Sequence, residues 1–98
     1  MLFTREDISL MKSALETYNE KDQGFFNPDL QANLAKSCML KLENYTAFTY
    51  FTKQEFTFIA VTVDHIINLM YLLPPNSRDV KTLESLESLL DRLSTLAR

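Results

Sequence analysis

Glycine occurs once and proline three times in 98 residues, which leaves little material for the tight turns that join short strands. A many-stranded sandwich or barrel is thereby disfavoured. Cysteine also occurs once, at Cys38. No disulfide can form within the chain, and a reducing, cytoplasmic setting is expected. Runs of Lys or Arg are missing too. The 10 basic and 13 acidic residues are interleaved and sum to −3, a balance that weakly repels a phosphate backbone. The sole histidine, His65, and the sole glycine, Gly24, supply neither the usual metal-ligand spacings nor a phosphate-cradling loop.

The longest apolar stretch, 56–73, has the length of a short membrane span, but Asp64, His65 and Asn68 interrupt its middle. A charged group there is costly in lipid, so no membrane span is expected. The opening Met1-Leu2-Phe3, followed by Arg5, Glu6 and Asp7, reverses the order of a secretory leader. With 46% hydrophobic residues, the chain reads as a single domain over residues 1–98 with one core.

What is present is helical periodicity. Thr4 is placed to cap a first helix by accepting from the amide near Asp7, and Ile8, Met11, Leu15 and Tyr18 recur at spacings of three and four. Gly24 offers a left-handed exit. Asn27-Pro28-Asp29 opens a second helix with a cap, a proline where its missing N–H costs nothing, and an acid on the positive dipole end. Its stripe is Leu30, Leu34, Cys38, Leu42 and Tyr45. Residues 56–63 are rich in β-branched and aromatic types and suit a strand by propensity. Thr52-x-x-Glu55 is nevertheless a capping box, with Phe51 placed to staple onto Phe56, and no turn signal appears before Leu73. Helix prevails, and Pro74-Pro75 ends it. A fourth helix from about Asp79 to Ala97, capped by Ser77 or Asp79, carries Leu83, Leu86, Leu90, Leu93 and Ala97 as a bundle seam.

The predicted fold is all-α, a four-helix bundle-like domain of two hairpins, about 3–45 and about 51–98. An offset of about 48 lays 3–11 (FTREDISLM) on 51–59 (FTKQEFTFI), so that staple, cap, acid and core positions coincide. Duplication and the shared grammar of well-capped helices both account for this, and the match does not decide between them.

The third helix carries more apolar surface than a bundle position requires. At about 100° per residue, Phe56, Ile59, Val63, Ile66, Ile67 and Met70 form a core arc. A polar stripe of Thr57, Asp64 and Asn68 separates it from a second arc of Phe58, Val61, His65, Leu69 and Leu72. On the first helix the corresponding Leu10, Ser13 and Thr17 are mostly polar. Two explanations stand: the aromatic linker 45–51 folds over the second arc, or the arc is an interface for a partner protein or a second copy.

Chemistry is sparse. Asp64 and His65 are adjacent and point about 100° apart on a helix, which is not a dyad. Cys38 lies on a core stripe, and neither Glu6 with Asp7 nor Glu84 with Glu87 reads as an acid/base pair; these are first-turn acids and solvated charges beside Lys81 and Arg92. No catalytic residue, metal site, cofactor or small-molecule ligand is implied. The expected function is a non-enzymatic protein-interaction or regulatory module that binds a protein partner or itself. The alternative is a small regulatory nucleic-acid binder using Gln31, Asn33, Lys36 and Lys41 of the second helix. It is the weaker reading, because the links are long for a helix-turn-helix and the overall charge is acidic.

Overall fold

A computed structural model describes residues 3–21 and 28–97, with the backbone alone for residues 18–21 and 28. Four helices form: α1 (Arg5–Lys21), α2 (Pro28–Glu43), α3 (Lys53–Tyr71) and α4 (Val80–Ala97), with a one-turn 3-10 helix (Pro75–Ser77) between the last two. No strand occurs among the described residues. The expected Gly24 exit, the Asn27 cap and the Tyr18 side chain lie outside what is described.

The contested stretch is a helix because its start is chemically closed. The Thr52 hydroxyl accepts from the Glu55 amide at 3.1 Å, and the Glu55 carboxylate accepts from the Thr52 amide at 2.8 Å. Two orphan donors are thereby satisfied. Phe51 packs on Phe56 with ring centroids 5.4 Å apart, as the staple requires. α1 opens in the same way, with Thr4 accepting from the Asp7 amide at 3.1 Å and Asp7 accepting from the Thr4 amide at 3.0 Å. At α4, Asp79 provides the cap, accepting from the Thr82 amide at 3.1 Å.

The core joins Met11, Ala14 and Leu15 of α1, Leu34, Cys38 and Leu42 of α2, Phe58, Ile59 and Val63 of α3, and Leu86, Leu89 and Leu93 of α4. α3 packs on all three other helices, most extensively on α4. Burying a side chain the size of Phe58 stabilises by about 1.5–3 kcal/mol.

Three expectations need correction. Phe58, assigned to the outer arc of α3, is fully buried. The buried face of α3 is Glu55, Phe58, Ile59, Thr62, Val63 and Ile67, while Phe56, Ile66 and Met70 are only partly buried. The inward face of α3 is set by its neighbours: α4 packs on it most extensively, and Ser37 and Lys41 of α2 reach Glu55 at its start.

Asp7, read as a surface acid, is buried and accepts two hydrogen bonds from Arg92 at 2.7 and 2.9 Å. The carboxylate at the third helical position folds back over the first turn of α1, and α4 passes there. Glu55 at the corresponding place on α3 is also buried, held by Lys41 at 2.5 Å and the Ser37 hydroxyl at 2.6 Å. Arg92 and Lys41, expected as free surface cations, therefore belong to interhelical clamps.

Gln31, placed on a basic face of the second helix, is buried instead, its Oε1 without a hydrogen-bond partner among the described residues. That is the third correction. It follows from position: Gln31 stands one turn before Leu34 and Ala35, on the inward side of α2.

Candidate functional site

The second arc of α3 divides along its length. Phe58 is inside and Val61 packs partly against the core. His65 is half-buried. Leu69 and Leu72 are exposed, at 37% and 80%. Around them the structure adds three residues that the helical wheel did not single out: Tyr71 at 46%, Leu73 at 45% and Val80 at 58% exposed. Five large apolar side chains thus stand outward at the corner where α3 hands over to α4. The signal available in the sequence was Pro74-Pro75, which stops α3 before its last apolar residues can lie along α4.

This corner is firmly built. Arg78 donates to the Tyr71 carbonyl at 2.8 Å and to the Leu73 carbonyl at 3.0 Å, satisfying acceptors at the end of α3. Its guanidinium also lies 5.1 Å from the centroid of the Tyr71 ring. The Tyr71 hydroxyl donates to Glu87 of α4 at 3.1 Å, a bond that pushes the phenol above its ordinary pKa. Within the turn, the Ser77 amide donates to the Pro74 carbonyl at 2.8 Å. Polar groups hold the backbone while the leucines face out.

The aromatic linker does not lie over this arc. Tyr45 and Phe51 turn inward onto Phe3, whose amide donates to the Tyr45 hydroxyl at 3.0 Å. Phe48 and Tyr50 are exposed at 94% and 74%. A compact Thr46–Thr49 turn holds Phe48 outward: the Thr46 amide donates to the Thr49 hydroxyl at 2.8 Å, and the Phe48 amide to the Thr46 hydroxyl at 3.2 Å.

Elsewhere the polar groups are tied to structure. Cys38 is buried with its sulfur 4.0 Å from the Glu55 carbonyl, and burial with the nearby Glu55 charge pushes the thiol up to about 12. His65 lies ten residues further along α3, roughly 15 Å by helical rise, which separates it from Cys38. A shallow groove between α1 and α4 is lined by Glu6, Asp7, Lys81, Glu84, Ser88 and Arg92, where Asp7 and Arg92 satisfy each other. Among the described residues no group of three His, Cys, Asp or Glu side chains is arranged to hold a metal ion. None of the described helices is long and apolar enough to cross a membrane.

No family model, curated protein or solved structure matches this chain.

Proposed function

We infer that the chain is a non-catalytic helical module of the cytoplasm that binds protein through the α3–α4 corner. One observation carries the reading: Leu69 and Tyr71 at the end of α3, Leu72 and Leu73 just beyond it and Val80 at the start of α4 are each exposed, around a turn held by hydrogen bonds from Arg78. Exposing apolar area in a cluster is costly, and such clusters mark interaction surfaces more often than chance exposure. The lone cysteine supports the compartment.

The nucleic-acid alternative draws little from the structure. Of the α2 residues it needs, Gln31 is buried and Lys41 is bound to Glu55, leaving Asn33 and Lys36 exposed.

The test uses the full chain as bait in extracts of its native host, beside a Leu72→Glu, Val80→Glu variant whose helicity matches wild type. Proteins retained by wild type and lost by the variant are expected. Identical sets, or none, would refute the reading.

A further inference from the structure

We propose that this domain exchanges hairpins with a second copy of itself, giving a closed dimer in which the first hairpin of each chain packs on the second hairpin of the other. The proposal is independent of the α3–α4 corner.

The ties between the hairpins select the partner. Asp7 of α1 is bound by Arg92 of α4, and Glu55 of α3 by Lys41 and Ser37 of α2. Phe3 meets Phe51 edge to face, and α1 packs on α3. A hairpin parted from its neighbour exposes its half of the core and leaves a buried cap carboxylate without its cation, which is costly. An unrelated protein would have to offer a matching apolar face with a cation at the right register. A second copy offers both, because it carries the same opposite hairpin. Exchange remakes each of these ties between chains, and since both chains give and receive, the assembly closes at two.

The linker lets this happen at small cost. The hydrogen bonds of residues 46–50 stay within their own turn: the Thr46 amide to the Thr49 hydroxyl, the Phe48 amide to the Thr46 hydroxyl and the Thr49 amide to the Thr46 carbonyl. Ala47, Phe48 and Tyr50 are exposed, and residues 46–50 contribute nothing to the core cluster. Opening the turn carries its ends from within about 7 Å to about 10 Å apart, and water replaces the exposed bonds that are lost. The contact new to the exchanged dimer lies where the two linkers cross. There the sequence places Phe48 and Tyr50, 94% and 74% exposed in the single chain, so the aromatics that stand in water in the monomer meet their counterparts in the dimer.

Because the hairpins part only when the domain unfolds, the extent of exchange is set during refolding and rises with concentration. The full chain is unfolded in urea and refolded over roughly 5 to 500 µM, a range that brackets a modest dimer affinity, and its mass is read by sedimentation. A species of twice 11.4 kDa is expected to grow with refolding concentration and to persist on brief dilution. A flat monomer mass, or growth beyond the dimer, would overturn the proposal. A mixing experiment separates exchange from side-by-side pairing. Asp7→Arg alone and Arg92→Asp alone each set like charges against one another in the clamp. When the two variants are refolded together, each exchanged heterodimer regains an opposite-charge clamp in both halves. Native mass spectrometry should then show heterodimers outnumbering homodimers by at least about tenfold, with a urea midpoint above that of either variant refolded alone. Should one variant fail to fold by itself, its recovery in the mixture is the same positive result. Statistical mixing, or no recovery, would overturn the proposal even if wild type dimerises.

Discussion

Replacing Asp7 with alanine should cost this domain more stability than any other single change to an acidic residue of α1. Two contributions set the magnitude. The Asp7 carboxylate accepts from the Thr4 amide at 3.0 Å, the return half of a capping box, worth about 1 kcal/mol. It also accepts two charge-assisted bonds from Arg92. Removing one member of a fully buried ion pair costs about 3–5 kcal/mol. Here the Arg92 side chain keeps 34% exposure against 8% for Asp7, so water can recover the cation, and about 1–2 kcal/mol is the better figure for this share. The sum is about 2–3 kcal/mol, a large fraction of the 5–15 kcal/mol typical of a domain. Urea unfolding followed by far-ultraviolet circular dichroism should show a lower midpoint with an unchanged slope. A double-mutant cycle with Arg92→Met isolates the clamp, and a coupling of about 1–2 kcal/mol is expected. A loss below about 0.5 kcal/mol with no coupling would show that the clamp is not formed in solution.

The pH dependence has a definite sign. Hydrogen bonds from Arg92 hold the Asp7 carboxyl below its ordinary value; at Glu55 burial pushes upward, but Lys41, Ser37 and the Thr52 amide outweigh it and lower the carboxyl. Depressed native values stabilise the fold above the unfolded values of about 4 and are lost as pH falls through the native ones, so Asp7→Asn, Glu55→Gln should flatten the acid limb of the stability profile below about pH 5. Phe58→Ala should cost about 3–5 kcal/mol and Phe48→Ala less than about 0.5 kcal/mol, measured by the same urea titration; equal costs would contradict the burial of one and exposure of the other. The Cys38 thiol, pushed up to about 12 by burial and the Glu55 charge, should react with a disulfide reagent far more slowly in the native than in the unfolded protein; equal rates would contradict its burial.

Capping chemistry was the most legible layer of the sequence, because it is local. Thr4, Thr52 and Asp79 each accept the amide three residues on, and spacing alone identifies such residues. The leucine seams of α2 and α4 were legible for the same reason, although Leu89, fully buried, fell between the marked positions Leu86 and Leu90. Long-range pairing was not legible. Nothing near Asp7 in the chain points to Arg92, 85 residues away, and the cap role of Asp7 was itself a sufficient reason for an acid there. The rotation of α3 was hidden by the same limit: a helical wheel places side chains on an isolated cylinder, whereas the buried face depends on where the neighbouring helices pack. Of the five residues assigned to the outer arc, Leu69 and Leu72 are exposed and Phe58 is not.

The two clamps have an arrangement that bears on how the hairpins hold together. The acid at the start of α1, in the first hairpin, is bound by Arg92 of the second; the acid at the start of α3, in the second, is bound by Lys41 of the first. Between them the staple residues Phe3 and Phe51 meet edge to face with centroids 6.5 Å apart. Each hairpin alone would carry a cap carboxylate without its cation, so the two should unfold as one cooperative unit. Where positions 48 apart diverge, the packing gives the reason. Leu10 is half-buried and Ser13 exposed, whereas Phe58 is buried and Val61 partly so, in keeping with α3 packing more extensively on α4 than α1 does on α2 among the described residues. The apolar excess in the first half of α3 is therefore accounted for inside the domain. The excess in its last turn is not: there Pro74 turns the chain away, α4 begins beyond it, and Leu69, Leu72 and Leu73 remain facing outward.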